Sequence, residues 1–213
     1  MSHKGLFISF EGGDGAGKST QINLLAERLR ASGRNVVLTR EPGGSPGAEQ
    51  IRELLVKGDK DRWSPLTEAL LMFASRADHL EKTILPALNS GAIVITDRFA
   101  DSSMAYQGVA GELGREKVQA LYSLVVGENG PDLTIMLDAS AEDGLARATT
   151  DDGETRFEEK GAAFQARVRE AFLTIAREDP ARCVVIDASQ PIEQVSANVL
   201  SAVQTRWPDL LAD

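Results

Sequence analysis

Cysteine and histidine are nearly absent from this sequence. Cys183 is its sole cysteine, and His3 and His79 are its two histidines. A single cysteine excludes an internal disulfide, and two isolated imidazoles make neither a zinc site nor a histidine-based triad. Cys183 lies in the apolar run Cys183-Val184-Val185-Ile186 and reads as a small buried residue. Positive charge is also scarce: 23 Lys and Arg face 32 Asp and Glu, a net charge of −9. A general nucleic-acid binder presents a basic face, so that class is disfavoured. An enzyme for small anions stays open, provided a few arginines converge locally. No stretch approaches the roughly 18 apolar residues of a membrane helix. The apolar run Leu6–Phe10 meets Glu11 too soon to be the core of a signal peptide. The expectation is a cytoplasmic protein with no membrane and no nucleic-acid partner.

The 213 residues, 42% of them apolar, suit one domain with a substantial core. Five short apolar runs read as buried strands: Leu6–Phe10, Val36–Thr39, Ala92–Thr96, Leu133–Leu137 and Cys183–Ile186. They are continuous rather than alternating, as parallel strands covered on both faces are. Helical spacing fills the stretches between them, at Gln21–Ala31, Ala48–Val56, Leu66–Leu88, Glu116–Val126, Ala162–Ala176 and Ile192–Val203. The alternation predicts an α/β fold with a central parallel sheet. Arg40–Gly47, rich in Pro and Gly, and Thr149–Glu159, dense in acids, read as loops. Ser189 before Pro191 reads as a helix N-cap. In such sheets ligands lie at the carboxyl ends of the strands, so the residues after Phe10, Thr39 and Thr96 carry the most information.

After the first run comes Gly12-Gly13-Asp14-Gly15-Ala16-Gly17-Lys18-Ser19, which matches G-x-x-x-x-G-K-[ST], the phosphate-binding P-loop. Glycines let successive N–H groups turn toward an anion. The helix that follows, carrying Thr20, adds its partial positive N-terminus. Lys18 is placed to reach the β- and γ-phosphates, and the Ser19 hydroxyl to ligate Mg²⁺. No N-K-x-D element for a guanine base exists, which leaves a small-molecule kinase ahead of a GTPase switch.

On the acceptor side, the second run ends in Thr39-Arg40-Glu41-Pro42-Gly43-Gly44 and the third in Asp97-Arg98. Phe73 and Arg76 are three residues apart on one helix face. An aromatic plane beside a guanidinium suits a base attached to a phosphate. Each residue taken singly also reads blandly: Phe73 as core, Arg76 as a solvated helix residue, Asp97 as a strand-end charge. A P-loop ATPase switch is a competing class, but it has no need of an arginine-lined acceptor pocket.

These segments, with Ser102-Ser103-Met104-Ala105-Tyr106-Gln107-Gly108, Pro131-Asp132-Leu133-Thr134 and Ile186-Asp187-Ala188, resemble the thymidylate kinase family in order and over nearly the whole chain. The resemblance implies a P-loop nucleoside monophosphate kinase-like fold, three layers around a five-stranded parallel sheet. It implies one domain over residues 1–213, a lid near 147–160, and a homodimer. It implies transfer of the γ-phosphoryl of ATP to dTMP, with dTDP feeding dTTP synthesis for DNA replication. Residues 12–20, Arg147, Ala188 and Gln190 would bind ATP. Asp14, Arg40, Glu41, Pro42, Phe73, Arg76, Arg98, Ser103, Tyr106 and Gln107 would bind dTMP. Within that set Phe73 would stack on thymine, and Arg76 would bond the base edge rather than a phosphate. Tyr106 would crowd the sugar 2′ position. Ser19 and Asp97 would organise Mg²⁺, and Lys18 and Arg98 would be catalytic. Glu11 falls at a family-like position without a role.

Family members carry a catalytic arginine in the P-loop or in the lid, and this P-loop has none. Within Arg147–Phe157 the arginines are Arg147 and Arg156, with acids between them. Arg147 resembles the residue that packs on adenine, which makes Arg156 the leading candidate for the lid catalyst, with a surface partner for Asp152 or Glu159 as its alternative reading. Arg156→Ala is expected to lower turnover by about 10³-fold if it acts as an arginine finger. A steady-state loss below about threefold removes it from that role, and Arg147→Ala is expected mainly to raise the ATP requirement.

Overall fold

The structure is a computed structural model that describes residues 5–59, 61–140 and 160–211. Five parallel strands form one sheet in the order β2-β3-β1-β4-β5: β1 (Leu6–Gly12), β2 (Val36–Arg40), β3 (Ile93–Asp97), β4 (Leu133–Asp138) and β5 (Cys183–Asp187). All five expected strands are present, and each runs one or two residues further at its carboxyl end. The extensions are the residues that matter, because they carry Gly12, Arg40 and Asp97 to one edge. β1 is central, paired with β3 on one side and β4 on the other.

Strand alternation sorts the core. From β1, Ile8 and Phe10 point into a cluster with Leu25 and Leu29 of α1 (Lys18–Ala31) and Val199 and Val203 of α8 (Ile192–Arg206). Phe7 points the other way, into a cluster with Phe73 of α3 (Pro65–His79), Leu88 of α4 (Leu85–Asn89), Phe99, and Val118 of α6 (Arg115–Val125). A third cluster packs Met136 of β4 against Val168 and Phe172 of α7 (Ala162–Glu178). Helices on both faces give the three layers expected from the sequence. Cys183 is buried, and burial pushes its thiol up to about 12, so it behaves as the inert core residue its neighbours suggested. Among the described residues no helix is long and apolar enough to cross a membrane.

Three local features depart from the sequence reading. The expected helix Leu66–Leu88 is α3, a π-helical turn at Leu80–Ile84, and then α4. A second π segment, Met104–Ala110, follows the short α5 (Ala100–Ser103) where no helix was expected. Such segments recur at functional sites, and this one carries Tyr106 and Gln107. Ser189 does not cap α8: its hydroxyl and its N–H both donate to Asp187 Oδ1, at 2.6 and 2.9 Å, and Pro191 precedes the helix. Among the described residues, side-chain caps form at Ser45 before Pro46 of α2 (Pro46–Val56) and at Ser64 before Pro65 of α3.

Candidate active site

β1 ends where its last residue must be glycine. Gly12 has φ 138°, and a Cβ there would stand 2.4 Å from the Leu137 carbonyl oxygen of β4. Gly17, at φ 86°, turns the chain into α1. The unsatisfied N–H groups of the first helical turn therefore open where the P-loop ends. Lys18 is buried, and its Nζ donates to the carbonyls of Gly12 at 3.4 Å and Gly13 at 3.0 Å. Burial, helped by Arg98, pushes its ammonium below the ordinary lysine value against the pull of Asp97, Asp14 and Glu11. A bound polyphosphate would relieve that deficit.

Arg98 is the hub of the site. It is a non-glycine residue at φ 66°, a left-handed backbone that costs about 1–2 kcal/mol in an ordinary residue. Its Nη1 donates to the Gly12 carbonyl at 2.9 Å and to Ser102 Oγ at 3.1 Å. Its Nη2 donates to Asp14 Oδ1 at 2.5 Å and lies 3.3 Å from the Tyr106 hydroxyl. Burial would raise the Asp14 carboxyl, but Arg98 and Lys18 hold it below the usual carboxylate value. Burial raises the Tyr106 hydroxyl well above its ordinary value, so it stays neutral.

A second network lies behind the Glu41–Ser45 loop. Glu41, at 6% exposure, accepts from Arg76 Nε at 2.8 Å, while its other oxygen lies 3.1 Å from His79 Nδ1. The other ring nitrogen of His79 is 2.6 Å from Thr39 Oγ1. Arg76 Nη2 also donates to the Phe99 carbonyl and to Ser103 Oγ, both at 3.1 Å. Among the described residues Arg76 Nη1 is buried with no hydrogen-bond partner, so one strong donor is left over for a ligand. Gln107 donates to the buried Glu68 at 2.9 Å. The bland reading of Arg76 as a solvated helix residue fails, because the side chain is 2% exposed.

Phe73 matches the core reading it carries when taken singly. Its ring is buried in the cluster with Phe7 and Phe99, and the Arg76 guanidinium sits 4.6 Å from its centroid. The three-residue spacing put Phe73 and Arg76 together correctly but did not say which way the pair faces. Met72, four residues before Arg76, is partly exposed on the same helix.

A cavity of about 760 Å³ brings most of the remaining candidates together, within the roughly 300–1,000 Å³ typical of small-molecule sites. Asp14 to Thr20 line it, with Arg40, Glu41, Asp97, Arg98, Ala188 and Gln190. Arg40 stands at the exposed rim and pairs with Glu49 at 3.2 Å, a surface contact that yields easily to a phosphate. Phe73, Arg76, Ser103, Tyr106 and Gln107 do not line this cavity, though hydrogen bonds tie Arg76 and Tyr106 to residues that do. Pro42 contributes its carbonyl to Arg52 Nη1 at 2.6 Å. Arg52 also lines the cavity, and the sequence reading missed it because a lone arginine on a helix carries no local signal. Arg147 and Arg156 lie outside the described residues. Ser19 Oγ donates to Asp97 Oδ2 at 3.2 Å, and among the described residues Asp97 Oδ1 is buried without a partner. This hydroxyl and carboxylate are hard oxygen donors that fit Mg²⁺.

Glu11 is fully buried in β1. It accepts the Phe99 N–H at 2.8 Å and the Ser102 hydroxyl at 2.6 Å. Burial and then Asp101 push its carboxyl up to about 8, against the pull of Ser102, Arg98 and the Phe99 amide.

Removing Arg76 leaves the buried Glu41 without its guanidinium. Arg76→Ala is expected to destabilise the fold by about 3–5 kcal/mol, measured by urea denaturation. A loss below about 1 kcal/mol, the scale of a surface pair, would show that the network carries little stability.

A model of the thymidylate kinase family matches residues 10–199. A thymidylate kinase of Caulobacter vibrioides is 56% identical over 203 residues, covering 95% of this chain and 98% of that relative. One from Dinoroseobacter shibae is 56% identical over 206 residues, covering 94% and 97%. A crystal structure of thymidylate kinase from Ehrlichia chaffeensis superposes with a TM-score of 0.77 at 38% identity, covering 94% of this chain and 98% of that one. With the P-loop, the arginine hub and the five-stranded sheet in place, the chain belongs to the thymidylate kinase family.

Proposed function

We propose that the chain transfers the γ-phosphoryl group of ATP to dTMP, giving dTDP and ADP. The observation that carries this reading is the convergence of Lys18, at the α1 N-terminus, with Arg40, Arg52 and Arg98 on one cavity. That is a concentration of positive charge in a chain whose net charge is −9, and it suits two phosphate-bearing substrates held end to end.

The acceptor phosphate is already a nucleophile at neutral pH, so the protein need not form a covalent intermediate. Its tasks are alignment and neutralisation of the charge that spreads over the transferred group. Lys18, held below its ordinary pKa, would have its ammonium stabilised beside the β- and γ-phosphates. Arg98 would contact the acceptor phosphate, exchanging part of its hold on Asp14, and Arg40 would leave Glu49 to do the same. Asp14, kept ionised, would then be free to receive a sugar hydroxyl. Arg76 would offer its unpartnered Nη1 to the base edge. The thymine-stacking role expected of Phe73 requires its ring to be uncovered, and the buried ring makes that the weakest of the expected contacts. Ser19 and Asp97 would hold Mg²⁺, which when bound neutralises the phosphate oxygens as a Lewis acid.

The segment near 147–160, of which residues 147–159 lie outside the described residues, would serve as the lid of a single domain and supply Arg147 and Arg156. A homodimer is supported by apolar side chains left at the surface of α3 and α6, with Leu66 47%, Leu70 49% and Leu124 81% exposed. A cytoplasmic site of action completes the reading.

A coupled assay with ATP and Mg²⁺ across dTMP, dUMP, dCMP, AMP and GMP tests it. Turnover is expected with dTMP and to fall at least about tenfold with dUMP, as the loss of one methyl in a fitted pocket gives. Equal or greater turnover with another monophosphate would assign a different acceptor.

A further inference from the structure

Glu11 is the one ionisable side chain of β1, and it is fully buried. A buried carboxyl in a central strand is costly unless it is bonded, and both of its oxygens are committed to the segment that carries Arg98. Oε1 accepts the N–H of Phe99, the residue after Arg98, at 2.8 Å. Oε2 accepts the Ser102 hydroxyl at 2.6 Å, and Ser102 Oγ accepts from Arg98 Nη1 at 3.1 Å. Arg98 donates its own N–H to the Phe10 carbonyl at 2.9 Å, and its carbonyl accepts from Thr96 Oγ1 at 2.9 Å. The left-handed backbone of Arg98, φ 66°, is thus pinned on both sides. A strained conformation persists only where its surroundings over-determine it, and Glu11 supplies two of the restraints.

We propose that Glu11, acting through Ser102 and the Phe99 amide, is a positioning residue that holds the Arg98 guanidinium against the P-loop for phosphoryl transfer. Glu11 touches neither substrate. It fixes the backbone of Arg98 through Phe99 and the guanidinium through the Ser102 hydroxyl. The kinetic consequence rests on the proposed reaction, because Arg98 is the group that meets the acceptor phosphate. Other charges stand around Glu11. Asp101 is tied to Arg182 at 2.6 Å, and Arg98 is tied to Asp14. Neither tie replaces what Glu11 provides to Phe99 and Ser102.

Ser102→Ala cuts the link to the guanidinium without emptying the core, and Glu11→Ala removes both links. A misplaced catalytic group costs up to about 10²-fold in rate. Ser102→Ala is expected to lower kcat about tenfold and Glu11→Ala by about that full factor, with the KM for ATP within about twofold of the parent. Glu11→Gln, which keeps an acceptor for Phe99, is expected to recover most of the loss. If Ser102→Ala retains parental kcat, or if Glu11→Gln is as impaired as Glu11→Ala, the role is overturned. Should Glu11→Ala not fold, Ser102→Ala alone decides. A parent that makes no dTDP would refute the proposed reaction instead. A crystal structure of Ser102→Ala would then decide the positioning role. An Arg98 guanidinium displaced from the Gly12 carbonyl supports it, and an unmoved one overturns it.

Discussion

The grip of Arg98 on the P-loop is the interaction on which the rest of this site depends. One guanidinium joins the carbonyl of Gly12, the carboxylate of Asp14 and the hydroxyls of Ser102 and Tyr106. It thereby ties the carboxyl end of β3 to the loop leaving β1 and to the helical turns that carry Tyr106. The side chain can reach all of these because its backbone adopts a left-handed conformation at the strand end. A guanidinium stays charged in any environment of this kind and donates in a planar fork, which a lysine at the same place could not reproduce.

The sheet explains why this convergence is possible. β1 is flanked by β3 and β4, so Gly12, Asp97 and Asp138 emerge at one edge. Parallel strands buried on both faces leave that edge as the place where polar groups collect. The apolar clusters on the two faces fix the register. Register fixes the height of each strand end, since a slip of one residue would turn Glu11 and Ser9 into the cluster of Ile8 and Phe10. Arg76 and His79 are held the same way, by a helix face that presents them to Glu41 rather than to solvent.

Most of the fold was readable from the chain, and the reason is local. Each strand is a short apolar run, and the P-loop is contiguous, so its spacing alone announced an anion site. The ends of the strands were read short because Gly12 and Asp97 are polar or small and break the apolar pattern while the ladder continues. The π segment at Met104–Ala110 was missed because its wider turn leaves no periodic signature in seven residues. Spacing placed Phe73 and Arg76 on one face but not its direction, and tertiary packing turned that face inward. Arg52 enters the cavity, and Glu11 reaches Phe99 and Ser102, across separations that no local pattern encodes. Arg147 and Arg156 stay proposals of the sequence.

The claim at the centre of this account is that Arg98 is held in place to receive the acceptor phosphate beside the P-loop. A crystal structure with dTMP and a non-hydrolysable ATP analogue tests it most directly. The account predicts an Arg98 nitrogen within about 2.7–3.2 Å of a dTMP phosphate oxygen, with the guanidinium still on the Gly12 carbonyl. A dTMP phosphate bound beyond the reach of Arg98 would contradict it.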